Sequence, residues 1–350
     1  MATMKEIAYI CGVSRGTVDR VLNHRGNVRK ETADRIWKVA QSLGHFSGTG
    51  KFKGVSHPNA STAGKIGVLV NAIDHEYFTD ILEGISIGLK KLVPYGISSV
   101  IKLSGGFDVD QQLKLLDELL AEGINALAVT PANNPRIAER LTEITSMGLP
   151  VVVISSKIDN FDYFAYVGCD HYLSGRIAGG LACQILPNGG RIAVLTGLHV
   201  MPGLNQRIAG FIDAISSKNN KFEILEPVQG CDDNLISYKS VYNLVRRNSK
   251  IDLLLLGASG SDGAFRALTE VGLLGKIKIL AFDKSNANLA QMRARNISAI
   301  FDQHPTKLGN RAIKLLGDYL QFKNLPAKRE NYENIEILID ESFYRVFNKT

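Results

Sequence analysis

No apolar run in the 350-residue sequence approaches the roughly 18 residues that a membrane span requires, so no segment is expected to cross a bilayer. The opening Met1-Ala-Thr-Met-Lys-Glu-Ile7 has no long apolar stretch after a basic start, and no secretory signal is expected. Cysteine is scarce: Cys11, Cys169, Cys183 and Cys231 lie far apart and form no C-x-x-C pair. They read as reduced, buried thiols of a cytoplasmic protein. The seven histidines are scattered, with no His and Cys cluster at metal-ligand spacing. There is no P-loop, no H-E-x-x-H and no G-x-S-x-G. Gly257-Ala-Ser-Gly-Ser-Asp-Gly263 comes after a strand-like run, but its G-x-x-G-x-x-G spacing is not that of a dinucleotide loop. No metal, no cofactor and no enzymatic activity is therefore expected.

Charge of one sign is also missing from most of the chain. The net charge is +7, yet residues 61–350 hold 31 basic and 30 acidic groups. Residues 1–60 hold ten Lys or Arg against four Asp or Glu, so nearly all the excess sits at one end. Such a head attracts polyanions, and its binding weakens with salt as counterions are released. A basic tail without a partner is the plainer alternative.

The order of residues in the head favours the first reading. Lys5–Cys11 forms a short helix with Ile7, Ala8 and Cys11 on one face. Gly12-Val13-Ser14 is a tight turn, with Gly12 free to adopt positive φ and Ser14 suited to cap the next helix. That second helix runs from Arg15 to about Asn23, with Val18, Val21 and Leu22 inward and Arg15, Gly16, Asp19, Arg20 and Asn23 outward. Its exposed arginines suit guanine O6 and N7 in a major groove. Gly26-Asn27-Val28 turns the chain again. A third helix, with Ile36, Val39, Ala40 and Leu43 at i, i+3, i+4, i+7, closes the small core, and Gly44 ends it. Arg25, Asn27, Arg29 and Lys30 are placed to meet phosphates.

Two helices joined by a glycine turn also describe a helical hairpin. The whole string I-A-x-x-x-G-V-S-x-x-T-V-x-R-V-L-N from Ile7 to Asn23, however, closely resembles the head of the lactose-repressor family of bacterial regulators, and the resemblance covers nearly all of residues 4–45. It implies a helix-turn-helix domain over residues 1–46 that binds double-stranded operator DNA. Arg15, Gly16 and Arg20 stand where the family touches bases; Thr17, Asn23 and Asn27 stand where it touches the backbone. Two departures stand out. Arg29 replaces the family's Ser or Thr cap on the third helix, a loss of about 1 kcal/mol. Residues 46–64, FSGTGKFKGVSHPNASTAG, are too rich in Gly, Ser and Thr for the hinge helix that the family inserts into the minor groove. Residues 47–64 read instead as a flexible basic linker.

From Lys65 onward strand and helix signals alternate. Apolar strands are expected at Ile66–Val70, Ser98–Leu103, Ala126–Thr130 and Val151–Ile154, then again at Ile192–Thr196, Phe222–Val228, Leu253–Leu256 and Ile279–Phe282. Helical patterns lie between them, such as Phe78, Ile81, Leu82, Ile85, Leu89, Leu92 and the leucine-rich Asp110–Glu122. Continuous apolar strands alternating with helices signal parallel sheets covered on both faces. Two such blocks imply two lobes around a cleft at the carboxyl ends of the strands. The fold class is thus α/β: a three-helix head plus a two-lobed domain of two parallel, doubly wound sheets.

Several segments of residues 65–340 resemble, in order, the periplasmic sugar-binding-protein fold that the same regulator family carries behind its head: Ile66-Gly-Val-Leu-Val, Tyr77-Phe78, Gly148-Leu-Pro-Val-Val-Val, Gly168-Cys-Asp-His-Tyr-Leu-Ser-Gly, Arg207-Ile-Ala-Gly-Phe, Ala281-Phe-Asp283 and Asp302-Gln303. By that resemblance the domain spans 65–350 and crosses between lobes near 168, 303 and 334. One lobe takes about 65–168 and 304–334, the other about 169–303 and 335–347. The resemblance places effector contacts at strand ends. Tyr77 and Phe78 either face a sugar ring or start a helix in the core. His75 is either a polar contact or a surface histidine. Asp283 accepts two hydroxyls, and Gln303 matches another ligand position. Arg207 either donates to the ligand or braces the cleft. Asp170 holds a crossover turn.

Where sugar binders of this fold put an acid and an arginine after the P-V-x-x-x strand, this chain has Ser155, Ser156 and Lys157; where they put an Asn-Asp pair, it has Gly257-Ala258. Some charged bidentate grips are therefore gone. The ligand is expected to be a small polar molecule, sugar or sugar-like. Together the head and the two lobes imply a sequence-specific DNA-binding regulator, by the family's habit a repressor, working as a homodimer on a pseudo-palindromic site. A transporter's solute-binding protein is the alternative, and it leaves residues 4–45 without a use.

Overall fold

The computed structural model describes residues 4–22, 28–29, 32–33, 35–36, 39, 64–72, 75–218, 221–248 and 250–343. Asn23, Arg25, Asn27, Lys30, Ala40, Leu43, Gly44 and the 47–63 segment lie outside them. The chain divides into two units, residues 1–59 and 60–350.

In the first unit, helix α1 (Met4–Cys11) buries Ile7, Ala8 and Cys11. Gly12 adopts φ +62° and lets the chain turn, with Val13 N donating to Ala8 O at 3.0 Å. Helix α2 (Arg15–Leu22) is capped by Ser14, whose Oγ accepts from Thr17 N at 3.1 Å. Val18 and Val21 bury against Ile36, with Val28, Ala33 and Val39 packed around them. Thr32, Ala33, Arg35, Ile36 and Val39 are helical, and the carbonyl of Arg29 accepts from the amides of Thr32 and Ala33. That carbonyl thus begins the helix that Arg29 cannot cap with its side chain.

The second unit begins with an all-parallel sheet. It is formed by β1 (Lys65–Val70), β2 (Ser98–Leu103), β3 (Ala126–Val129), β4 (Val151–Ser155), β5 (Ala165–Cys169) and β12 (Glu330–Glu333), in the order β12-β5-β4-β3-β1-β2. A second sheet has β6 (Gly190–Thr196), β7 (Phe222–Ile224), β8 (Val228–Gln229), β9 (Leu253–Leu256), β10 (Lys278–Phe282), β11 (Ala299–Asp302) and β13 (Glu336–Leu338). Its order is β13-β11-β10-β9-β6-β7, with β8 also on β6, and only β13 runs antiparallel. Both sheets are thus doubly wound about their first strand, β1 or β6, and the C-terminal segment adds the sixth strand of the first and the seventh of the second.

Side chains alternate across each sheet, which sends one core to each face. Ile66, Val68 and Val70 of β1 bury under α3 (Glu76–Leu92) and α10 (Pro305–Phe322), whereas Leu69 packs with Leu116, Leu119, Ile137 and Leu141 of α4 (Val109–Ala121) and α5 (Pro135–Ser146). In the second lobe, Leu254 and Leu256 of β9 face α8 (Asn234–Arg247) and α9 (Ser261–Glu270), and Leu253 and Leu255 face α6 (His171–Ile185) and α7 (Pro202–Ser216). Glycine lets the last pair touch backbone to backbone. A Cβ on Gly175 would lie 1.9 Å from Arg207 O, and one on Gly210 would lie 2.0 Å from Tyr172 O. No side chain fits either place.

The single strand expected at Phe222–Val228 is two, β7 and β8, because Pro227 between them has no N–H to give a ladder. Strands β5, β11, β12 and β13 add to those expected from apolar runs. The chain passes between lobes after β5, after β11 and after β12. At the second passage His304, with φ +55°, sets Nδ1 3.0 Å from Asp302 Oδ2 and Nε2 3.4 Å from Glu336 Oε2. Among the described residues, no helix is long and apolar enough to cross a membrane.

Candidate functional site

The outer face of α2 exposes Arg15, Gly16 and Arg20. Arg20 Nε donates to Gly16 O at 3.1 Å. Thr17 Oγ1 pairs with Ser14 Oγ at 2.9 Å, so its hydroxyl is held in the cap. A Cβ on Gly16 would meet nothing nearer than Ser14 Oγ at 3.8 Å, so the fold of the head does not require glycine there. Asn23 and Asn27, the other expected DNA contacts, lie outside the described residues.

In the second unit, the carboxyl ends of both sheets border a narrow cleft that opens to solvent. The first lobe supplies His75, Tyr77 and Phe78 at the start of α3 and Ser155 and Ser156 at the end of β4. The second supplies Arg207 from α7 and Asp283 after β10; Gln303 stands at the passage after β11. Strand-end polar residues meet here because each follows an apolar strand that runs toward the same edge. Eight of the nine expected effector contacts line this cleft.

Lys157 does not. It borders an adjoining chamber, where Nζ donates to Glu330 Oε1 at 2.6 Å and to Tyr332 OH at 2.9 Å. Burial alone would lower its pKa, but these two bonds outweigh it and hold the ammonium charged. The hydrogen bond from Lys157, followed by that from Tyr332, depresses Glu330 to about 2. This cation is spent on closing the lobe onto β12.

Asp283 sits at φ +68°, a conformation Asp and Asn tolerate better than most residues. Its Oδ1 accepts from Gln303 Nε2 at 2.7 Å, and Gln303 Oε1 accepts from Cys169 Sγ at 2.9 Å. Burial pushes the Cys169 thiol up to about 12, so it stays protonated and donates. The thiol therefore fixes the amide, which in turn aims the carboxylate. Burial also raises Asp283 to about 6, against the pull of Arg207 and Gln303.

Arg207 is buried at 2% exposure. It donates to Gly257 O at 2.7 Å and lies 3.9 Å over the Phe282 ring. Its Nη2 is 3.4 Å from His171 Nδ1. His171 Nε2 lies 3.0 Å from Ser155 O, which only accepts, so Nε2 carries the hydrogen and Nδ1 accepts. Burial, then Arg207, pushes His171 down to about 4, and the ring stays neutral. Arg207 is thus chiefly a brace. Asp170 caps α6, accepting from Leu173 N at 2.9 Å.

Reading strand ends left out His171, Met201, Leu204, Asp232, Ala258 and Ser259, which also line the cleft. Two had a signal: His171 comes directly after the Gly168-Cys-Asp segment, and Asp232 ends the loop after β8. Ser259 Oγ lies 3.2 Å from His75 Nε2, and Asn286 N donates to Glu76 Oε2 at 2.7 Å, so the lobes touch beside the cleft. His75 Nδ1 and Arg207 Nε are buried with no partner. The Gly257–Gly263 loop turns to α8 instead of to a ligand phosphate: a Cβ on Gly263 would lie 1.8 Å from Asn234 O.

Residues 66–324 match the model of the periplasmic binding protein domain, and residues 3–46 match that of bacterial regulatory proteins, lacI family. The chain belongs over most of its length to the periplasmic binding protein domain family, behind a head of the lacI regulatory family. It is 24% identical over 341 residues to the HTH-type transcriptional repressor PurR of Klebsiella pneumoniae subsp. pneumoniae, covering 96% of this chain and 94% of that protein. It is 23% identical over 261 residues to the ribose import binding protein RbsB of Bacillus subtilis (strain 168), covering 74% and 83%. Among solved structures, a periplasmic solute binding protein of an ABC transporter from Actinobacillus succinogenes 130z, with bound D-allose, superposes with a TM-score of 0.73 at 18% identity. That likeness covers 80% of this chain and 98% of the other, and it establishes the fold.

Proposed function

We propose that this regulator is an operator-binding repressor whose DNA affinity is set by an uncharged polyhydroxylated effector held between its lobes. The observation that carries this reading is the partly buried Asp283 carboxylate beside two buried polar atoms lacking a partner, His75 Nδ1 and Arg207 Nε. Buried polar groups without partners are rare, and hydroxyls satisfy both donors and acceptors. Tyr77 and Phe78 add an apolar wall for ring C–H groups. An anionic effector would face Asp283 and Asp232 together, with Arg207 already bonded to Gly257. RbsB is named for ribose import and the Actinobacillus protein holds D-allose, in keeping with a sugar-like ligand.

Melting of the full chain against sugars, polyols and sugar phosphates tests the effector. A ligand at about 100 times its Kd adds roughly 2.7 kcal/mol. Neutral polyols are expected to shift the transition; a response to phosphates alone would contradict the reading. Binding is also expected to weaken about tenfold from pH 7 to pH 5, as the carboxyl near 6 takes up the proton that blocks its acceptor oxygen. His171 near 4 stays neutral throughout that window. Affinity unchanged by pH would remove Asp283 from the contact set.

On DNA, Arg15 and Arg20 are assigned to base edges and Gly16 to close approach of the duplex. Gly16→Ala is expected to leave the head as stable or firmer by about 0.5–1 kcal/mol, since glycine is costly in a helix. Operator affinity should nevertheless fall. Binding that tracks stability instead would refute the assignment. Two chains pairing through the second unit would present two heads to one site. Ile101 and Leu103, exposed on the edge strand β2, suit such pairing. Sedimentation of the full chain as a monomer at micromolar concentration would contradict it.

A further inference from the structure

The second passage between the lobes carries a cluster outside the effector cleft. Asp302 ends β11, and its side chain is 1% exposed. Its Oδ1 accepts from His304 N at 3.1 Å. Its Oδ2 is buried and takes no hydrogen bond. Lys284 Nζ at 2.8 Å and His304 Nδ1 at 3.0 Å approach that oxygen off its bonding directions. Antiparallel pairing of β13 with β11 sets Glu336 opposite Asp302, and Glu336 Oε2 lies 3.4 Å from His304 Nε2. One imidazole thus stands between two carboxylates that lie far apart in the chain and side by side in the sheet. A buried carboxylate oxygen without a hydrogen bond is costly unless a cation meets it.

We infer that Asp302, His304 and Glu336 bind a divalent transition ion of the zinc class. One ligand atom from each lies within 4.8 Å of the other two. Zn–N and Zn–O bonds of about 2.0–2.2 Å place neighbouring ligand atoms about 3–3.5 Å apart, and His304 already stands at such distances from both carboxylates. Glu336 is half-exposed and free to swing across the remaining gap. An imidazole with two carboxylates suits Zn²⁺ better than Mg²⁺ or Ca²⁺, which take oxygen ligands. Lys284 supplies the cation beside Asp302 in the structure. Its ammonium is 38% exposed on a flexible stem, so it moves to water as the ion enters. Asp80 of α3 adds to the acidity around this lysine. Burial, then Glu83, raises its carboxyl; Lys284 pulls it down and Asp302 pushes it up again. Asp302 and His304 belong to the second passage between lobes and Glu336 follows the third, so the ion ties two of the connections side by side.

The full chain is stripped with EDTA, dialysed and titrated calorimetrically with Zn²⁺. One ion per chain is expected, with a rise in melting temperature as Zn²⁺ is added. Glu336→Gln and His304→Asn should each weaken binding by about 10–100-fold. Asparagine tolerates the φ of +55° at position 304, and ion-free variants that melt with the parent separate lost binding from lost fold. Lys284→Gln should tighten binding, because it removes the charge that the ion displaces. Co²⁺ in place of Zn²⁺ should show ligand-field bands without the thiolate charge-transfer band that a cysteine site gives. No binding at submillimolar Zn²⁺ overturns the site. A thiolate band, or affinity unchanged in both Glu336→Gln and His304→Asn, puts the ion elsewhere and overturns it as well. Weaker binding by Lys284→Gln overturns the exchange of ammonium for ion on which the site depends.

Discussion

Asp283→Asn is expected to weaken effector binding by roughly a hundredfold or more while raising the stability of the effector-free protein at pH 7. Two hydroxyls donating to a carboxylate contribute about 1.5–3 kcal/mol each, and an amide keeps one acceptor but turns a donor toward the ligand. The stability effect has the opposite sign. A carboxyl raised from 3.8 to about 6 is less willing to ionise in the fold than in the unfolded chain. The cost is absent below pH 3.8, grows between 3.8 and 6, and is complete above 6, at about 3 kcal/mol. Asparagine tolerates φ +68° and still accepts from Gln303, so it removes the charge with little other change. Melting curves at pH 7 and pH 4 check this: the variant should melt higher at the first and match the parent near the second. A variant that melts lower at pH 7 would mean that the carboxylate stabilises the empty cleft.

Arg207→Ala is expected to cost about 3–5 kcal/mol of stability, the range for stripping one partner from a buried charged network. The guanidinium fills the space over Phe282, satisfies Gly257 O and pulls the Asp283 carboxyl down against its burial. Its loss leaves a cavity, an unpaired carbonyl and a carboxyl pushed still higher by burial. Arg207→Lys should recover only part of this, because an ammonium does not stack flat on the ring. Urea midpoints of the full chain measure it; a loss under about 1 kcal/mol would show that Arg207 reaches into the cleft without bracing it.

Much of this site is readable from sequence because its residues come directly after apolar strands. Asp283 after Lys278–Phe282 and Ser155-Ser156 after Val151–Ile154 mark where a buried strand meets water. Tyr77 and Phe78 are legible as the first aromatic turn of an amphipathic helix, but only packing shows that they serve core and cleft together. Lys157 misleads because sequence cannot show that a strand 173 residues later, β12, brings Glu330 to its amine. The same edge strands escape sequence reading: Glu330–Glu333 is short and polar, Glu336–Leu338 is only three residues long, and their pairing is set by the sheets they join. Cys169 reads as an inert thiol; its role in aiming Gln303 depends on the passage of β11 beside the end of β5.

In this mechanism a ligand at Asp283 changes what the head does to DNA. Its most direct test is the Kd of the full chain for a duplex it has selected from a random pool, with and without saturating effector, in the parent and in Asp283→Asn. A coupling of 1–3 kcal/mol predicts a change of about 5–150-fold in the parent and none in the variant. Equal changes in both, or none in the parent while effector binding is demonstrated, would contradict it.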